Sequence, residues 1–203
     1  GGASLITALF LCFIFSPLII RWLKSKQLEG QPIRDDGPEW HIDIKRGTPT
    51  MGGLIILGSL VISSLLWADL KNIYIWLVLY VTCGFGVIGF IDDYLKITRN
   101  NHRGLSAKLK LILQFIISSI ALIWIYNISS DQLAGLIAFP FLKDATLYLG
   151  IVSWCLVSGL IVVGSSNAVN LTDGLDGLAI VPIIIASSVS GLISYLVGNT
   201  IFS

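Results

Sequence analysis

The sequence predicts an all-α fold, a polytopic helical membrane protein with about six spanning helices. Three observations carry that prediction. Only 12% of the 203 residues are charged while 55% are hydrophobic, against about 25% charged in a soluble domain, and the mean hydropathy is +0.85. The apolar residues gather into six runs, each close to the ~20 residues that a helix needs to cross a bilayer. None of the runs alternates polar and apolar residues over ~10 positions as a barrel strand does. A span that is not part of a closed barrel satisfies its backbone in lipid only as a helix.

The first run, Gly1–Ile20, is followed rather than preceded by basic residues, Arg21, Lys24 and Lys26, and contains no A-x-A-like cleavage site. It therefore reads as a span and not as a signal peptide. The others are Met51–Ala68, Ile73–Ile91, Leu111–Ile128, Leu147–Ser166 and Leu178–Val197. Residues 1–203 are expected to form a single transmembrane domain that is incomplete, because the chain begins without methionine and ends after "GNTIFS". Cys12, Cys83 and Cys155 lie inside spans without metal-ligand spacing, so they read as small apolar residues and not as a disulfide framework. The net charge of +1 implies no nucleic-acid partner.

Charge distribution orients the bundle. Segments 21–50 and 92–110 hold eleven of the thirteen Lys and Arg residues, and the connections at 69–72 and 129–146 hold one each, Lys71 and Lys143. Loops 21–50, 92–110 and 167–177 are accordingly expected on the cytoplasmic face, with the amino terminus outside. Asp92, Asp93, Asn167, Asn170, Asp173, Asp176 and the stretch "KRGTPTMGG" (45–53) all fall on that same face. No ionisable residue sits near the middle of a span, which argues against a proton-coupled transporter with carboxylates at mid-depth. Carboxylates at the water–lipid boundary suit chemistry on something half in water and half in membrane.

Three clusters carry that chemistry. In "GFIDDYLK" (89–96), Asp92 and Asp93 point about 100° apart on a helix, so identical roles are not expected of them. They read either as a solvated helix end paired with Lys96 or as ligands for Mg²⁺ with a phosphate. They lie at the helix end that the macrodipole makes unfavourable for anions. In "NAVNLTDGLDGLA" (167–179), Asn167, Asn170, Asp173 and Asp176 recur every third residue and share roughly one face of a helix or tight turn. Such a row fits sugar hydroxyls, a base edge or a metal. The competing reading is an N-cap for the sixth span, which explains one aspartate and not the row. "KRGTPTMGG" offers two cations, two hydroxyls and a glycine pair at a helix start, a weak phosphate-site signal that lacks the Walker A ending. His41 and His102 have no partner at ligand spacing, and Trp22, Trp67 and Trp76 near span ends read as interfacial anchors.

With these motifs in order on one face, the chain resembles the phospho-N-acetylmuramoyl-pentapeptide transferase family of the polyprenyl-phosphate sugar-1-phosphate transferase superfamily. The resemblance rests on "RDDGPEWHIDIKRGTPTMGGL" (34–54), "GFIDDYLK" (89–96), "RGLSAKLK" (103–110) and "GSSNAVNLTDGLDGLA" (164–179), and it covers essentially the whole chain. It implies a fold of roughly ten spans of ~20 residues each, and a bacterial inner (plasma) membrane enzyme with its active site on the cytoplasmic face. The implied reaction transfers phospho-MurNAc-pentapeptide from UDP-MurNAc-pentapeptide to undecaprenyl phosphate with Mg²⁺ as cofactor, giving lipid I and UMP. By resemblance Asp92, Asp93 and Asp176 are the catalytic set, with Asp92 the general base towards the lipid phosphate. Lys45, Thr50, Asn167, Asn170, Asp173, Lys96 and Lys108 would bind substrate, and Asp93 and Asp173 would face the metal. A further metal-binding aspartate is expected beyond residue 203. The resemblance also allows a homodimer. The stretch "NNH" (100–102) is less basic than the family pattern. A sister enzyme using UDP-GlcNAc would share the acidic pair and the Asn/Asp row but should lack the 34–54 signature. A transporter predicts mid-membrane polar residues or broken helices, and neither is visible in the sequence. A non-catalytic scaffold leaves the Asn/Asp row unexplained.

Overall fold

The computed structural model describes residues 1–27, 49–99, 104–130, 133–139, 142, 145–173 and 178–198. Six helices follow in order: α1 (Gly2–Lys26), α2 (Gly53–Trp67), α3 (Ile73–Thr98), α4 (Ala107–Ile128), α5 (Ile151–Thr172) and α6 (Ile180–Val197). Five of them are long and apolar enough to cross a membrane. The exception is α2, whose 15 residues reach only ~22 Å at 1.5 Å per residue. It starts later than the apolar run, because Met51 takes a left-handed φ of 72° and Gly52 forms the cap.

The helical membrane fold is as expected, with two refinements at its edges. Between α4 and α5 two short strands, β1 (Leu136–Ala138) and β2 (Thr146–Tyr148), pair antiparallel, with Ile137 opposite Leu147. The fifth span therefore begins at Ile151 and not at Leu147. Gly135 allows this turn, since it adopts a φ of +77° and an added Cβ would collide with the Leu149 carbonyl oxygen. The polar loops are also shorter than expected, because helices continue into them. α1 runs to Lys26, α3 passes Ile91 to end at Thr98, α4 starts at Ala107, and α5 carries Asn167 and Asn170 on its last turns. Hydrophobicity marks where lipid ends, whereas the backbone ladder continues until a cap or turn stops it.

The chain divides into two compact units, residues 1–155 and 156–203, with the division inside α5. In the first unit, α1 packs on α2, α2 on α3, and α3 on α4. The α3 contacts are close: a Cβ at Gly86 would lie 2.6 Å from Leu57 of α2, and one at Gly84 would lie 3.0 Å from Ile117 of α4. Small residues at a helix interface let the backbones approach in this way.

Most large apolar side chains still face outwards, Phe13 being 78% exposed, as expected of a bundle solvated by lipid. At one end, the Trp67 indole N–H donates to Thr7 Oγ1 at 2.9 Å, joining the finish of α2 to the start of α1. The Tyr126 ring meets Trp154 at 5.8 Å beside the hairpin, and Trp154 Nε1 donates to the Leu136 carbonyl at 3.4 Å. The opposite end of the first unit gathers the finish of α1 and of α3 with the segments that enter α2 and α4. This places Gln27, Thr50 and Leu105 at a common end with the acidic residues of α3. In the second unit α6 has no buried residue.

Candidate active site

The apolar part of α3 ends at Ile91, and the helix then carries its acidic pair for two more turns. Lys96 lies three and four residues on, the spacing at which helical side chains meet. Its ammonium is 2.6 Å from Asp92 Oδ2 and 3.1 Å from Asp93 Oδ1. Two carboxylates thus share one ammonium, and the triad carries one net negative charge. A lysine in the last helical turn also complements the helix dipole.

The remaining carboxylate oxygens are taken from two other elements. Asp92 Oδ1 accepts the Leu105 N–H at 2.7 Å, from the segment entering α4. Asp93 Oδ2 accepts the Thr50 hydroxyl at 2.8 Å, from the segment entering α2. Asp92 is the more enclosed, its side chain 14% exposed against 30% for Asp93. The pairing with Lys96 foreseen for a plain helix end is present, but two long-range hydrogen bonds are added to it. The two neighbouring acids thus have separate long-range partners.

Two residues absent from the sequence reading hold this arrangement. Gln27, the C-cap of α1, receives the Thr50 N–H on its Oε1 at 3.0 Å and donates from Nε2 to the Thr50 carbonyl at 3.4 Å. Gly104 lies so close to Asp92 that an added Cβ would overlap Asp92 Oδ1 and stand 2.8 Å from the Asp92 carbonyl oxygen. Beside it Ser106 caps α4, its side chain accepting the Leu109 N–H at 3.3 Å. The only sequence signal for Gly104 was its place in "RGLSAKLK" before a capping serine; Gln27 had none.

Of the ten residues assigned from sequence, Thr50, Asp92, Asp93 and Lys96 come together here. Lys108 is exposed on the first turn of α4 and makes no ion pair with either carboxylate among the described residues. It heads an open, largely apolar groove of about 540 Å³ that includes Leu111, Phe115 and Ile123, with Ser119 as its other polar residue. In the second unit, Asn167 is half-buried and bonds back to the Val163 carbonyl at 2.8 Å, while Asn170 and Asp173 are exposed. The helical ladder reaches the Asp173 N–H, which donates to Val169 at 3.2 Å, so these three residues share a face at the end of α5. The capping alternative is not met by Asp173, which belongs to the end of α5, and α6 begins at an Ala179 cap without a side-chain bond. The other candidate cap, Asp176, falls outside the described residues. Lys45 and Asp176 lie outside the described residues.

Among the described residues no group of three or more His, Cys, Asp or Glu side chains forms a metal set. Asp92 and Asp93 supply two carboxylates with a net negative charge after Lys96. That donor set fits Mg²⁺ in its usual mode, in which one or two carboxylates act together with substrate phosphates and water.

Comparison with known proteins adds to this geometry. A family model described as Glycosyl transferase family 4 matches residues 75–203. A second model, Phospho-N-acetylmuramoyl-pentapeptide-transferase signature 1, matches residues 45–57 and so includes Thr50. The chain is similar to the phospho-N-acetylmuramoyl-pentapeptide-transferase of Granulibacter bethesdensis, 55% identical over 203 residues. It is also similar to that of Rhodopseudomonas palustris, 52% identical over 205 aligned residues. Each match covers 100% of this chain but 56% of the relative, so the chain spans about half the length of the curated relatives it matches.

Proposed function

Because the chain belongs to glycosyl transferase family 4, we propose that the full-length protein transfers phospho-MurNAc-pentapeptide from its UDP carrier to undecaprenyl phosphate, releasing UMP. The observation that carries this reading is the hydrogen bond from Thr50, inside the signature, to Asp93 of the acidic pair. It links the segment diagnostic of the pentapeptide branch to the carboxylates shared by the wider superfamily.

In the proposed reaction an oxygen of the lipid phosphate attacks the β-phosphorus of the nucleotide sugar. The bond from that phosphorus to the bridging oxygen breaks, and the leaving oxygen departs with UMP. Asp92, fixed by Leu105 and Lys96, accepts a proton from the lipid phosphate where it carries one, or orients it where it does not. Lys96 is already poised between the carboxylates, and its charge offsets that of an arriving phosphate. Asp93 would hold Mg²⁺, which when bound stabilises charge on the pyrophosphate oxygens. Charge stabilisation of this kind is usually the largest single catalytic contribution. The exposed amide and carboxylate of Asn170 and Asp173 suit contacts to sugar or nucleoside hydroxyls.

The test is Mg²⁺-dependent UMP release by the full-length protein in detergent with undecaprenyl phosphate, offering UDP-MurNAc-pentapeptide and UDP-GlcNAc in separate reactions. Release with the pentapeptide donor alone is expected. Release with UDP-GlcNAc alone would move the protein to the sister activity, and activity without a divalent cation would remove Mg²⁺ from the account.

The proposed reading also sets the acidic pair on the cytoplasmic face, supported by the excess of Lys and Arg in 21–50 and 92–110. In right-side-out vesicles a membrane-impermeant maleimide should label a single cysteine introduced as Lys71→Cys and spare one introduced as Arg99→Cys. The opposite pattern would invert the topology.

A further inference from the structure

We propose that Gln27 is a positioning residue for the acidic pair, acting through Thr50. The inference rests on the reading of Asp92 and Asp93 as catalytic groups, and extends it to a residue on α1 that neither family model covers.

Gln27 is buried, 8% exposed, at the last turn of α1, where its own N–H closes the helix onto the Leu23 carbonyl at 2.9 Å. A buried amide is costly unless its donor and acceptor are both satisfied. Here both are spent on one residue: Oε1 takes the Thr50 N–H and Nε2 reaches the Thr50 carbonyl. A side-chain amide, with an acceptor oxygen beside a donor nitrogen, can hold the N–H and the C=O of one residue together, which neither a carboxylate nor an aliphatic chain does. Thr50 is thereby held 23 residues along the chain from Gln27, and its hydroxyl is directed at Asp93 Oδ2 at 2.8 Å.

The next residue supports the same reading. Met51 adopts a φ of 72°, a conformation that L-residues other than Asn, Asp and Gly rarely hold without support from their surroundings. The chain therefore turns sharply between the clamped Thr50 and the start of α2, at the point where the hydroxyl meets the carboxylate. Loss of the Gln27 clamp frees Thr50 to leave Asp93, and Asp93 then keeps Lys96 alone among these partners.

The test is a double-mutant cycle in the full-length protein, read as UMP release at saturating substrates. Gln27→Leu and Thr50→Val should each lower kcat by roughly 10- to 100-fold, the scale of an ångström-sized misplacement in a catalytic site. If Gln27 acts through the Thr50 hydroxyl, the double variant should match Thr50→Val to within about twofold, the signature of coupled residues. Thr50→Ser should recover much of the activity lost in Thr50→Val, and Gln27→Leu in that background should lower it again. Multiplying losses in the double variant would overturn the proposal, as would parental kcat in folded Gln27→Leu.

If Gln27→Leu fails to fold, Gln27→Glu, which keeps the acceptor for the Thr50 N–H, takes its place in the cycle. It should show a smaller loss with the same non-additivity. Failure of both to fold would reduce Gln27 to a stability role and also overturn the proposal. Asp92→Asn is assayed beside them. Parental activity in that variant would sink the underlying reading, whereas an inactive Asp92→Asn with multiplying losses at 27 and 50 would sink the Gln27 inference alone.

Discussion

Replacing Asp92 by asparagine should lower kcat for UMP release by about 10²–10⁴-fold, the range associated with a positioned acid or base, with little change in the thermal stability of the purified protein. Asparagine has nearly the same shape and keeps an oxygen for the Leu105 N–H, the partner of Asp92 Oδ1. Its amide nitrogen, however, would face the Lys96 ammonium that now sits 2.6 Å from Asp92 Oδ2. Lys96 retains Asp93 at 3.1 Å, so the helix end loses one of two ion pairs and is not left with an unpartnered cation. The pair is partly enclosed, so its loss should cost somewhat more than the about 0.3–0.5 kcal/mol of an exposed helical pair. Lys96 and the Leu105 N–H each keep a partner, however, which holds the change in stability to a small one. The effect on the reaction is much larger, because the variant removes the acceptor and the negative charge nearest the proposed nucleophile.

Asp93→Asn is the informative comparison. Its Oδ2 is committed to Thr50 and its Oδ1 to Lys96, so it should also lower kcat, with an added rise in the Mg²⁺ concentration needed for half-maximal rate. A loss below tenfold at Asp92 together with a loss above a thousandfold at Asp93 would exchange the roles of the two residues.

The sequence made some of this geometry legible and hid the rest for identifiable reasons. Lipid imposes a uniform demand for apolar side chains and satisfied backbones, so the six helices could be read from composition and run length alone. The pairing of Lys96 with the acids was readable because it is local, set by spacing on one helix. Thr50 entered only through a resemblance, since nothing in "KRGTPTMGG" says that its hydroxyl reaches a carboxylate 43 residues away.

Gln27 was invisible for a different reason. In "KSKQLEG" it looks like one more polar residue after a span, and only the packing of α1 on α2 shows that it is buried. The hairpin was missed because Leu147 and Tyr148 are as apolar as the helix that follows, and hydropathy does not distinguish a strand from the first turn of a span. The row at 167–173 was read as a helix or a tight turn beyond the span, because polarity marks the edge of lipid, while the backbone of α5 stays helical to Thr172.

Gly104→Ala should produce the second large effect, lowering kcat by about 10²-fold, the consequence of displacing a catalytic group by an ångström. A Cβ at residue 104 would overlap Asp92 Oδ1, lie 2.7 Å from its carboxyl carbon and 2.8 Å from its carbonyl oxygen. The carboxylate could rotate away, but the carbonyl belongs to the α3 backbone and cannot follow. The segment before α4 must therefore lift, which breaks the Leu105 N–H bond to Asp92 and strains the Ser106 cap of α4. Overpacking of this kind costs about 1–3 kcal/mol, so a lower unfolding temperature in detergent should accompany the lost activity.

Gly89→Ala is the matched control, because an alanine there, three residues before Asp92 on the same helix, meets nothing within 4 Å. It should leave kcat at the parental value and gain up to about 1 kcal/mol of helix propensity. If Gly104→Ala instead retained parental kcat, the close approach of residue 104 would have no bearing on the reaction. Lys96 alone would then determine the orientation of Asp92, and the segment entering α4 would serve only to cap its helix.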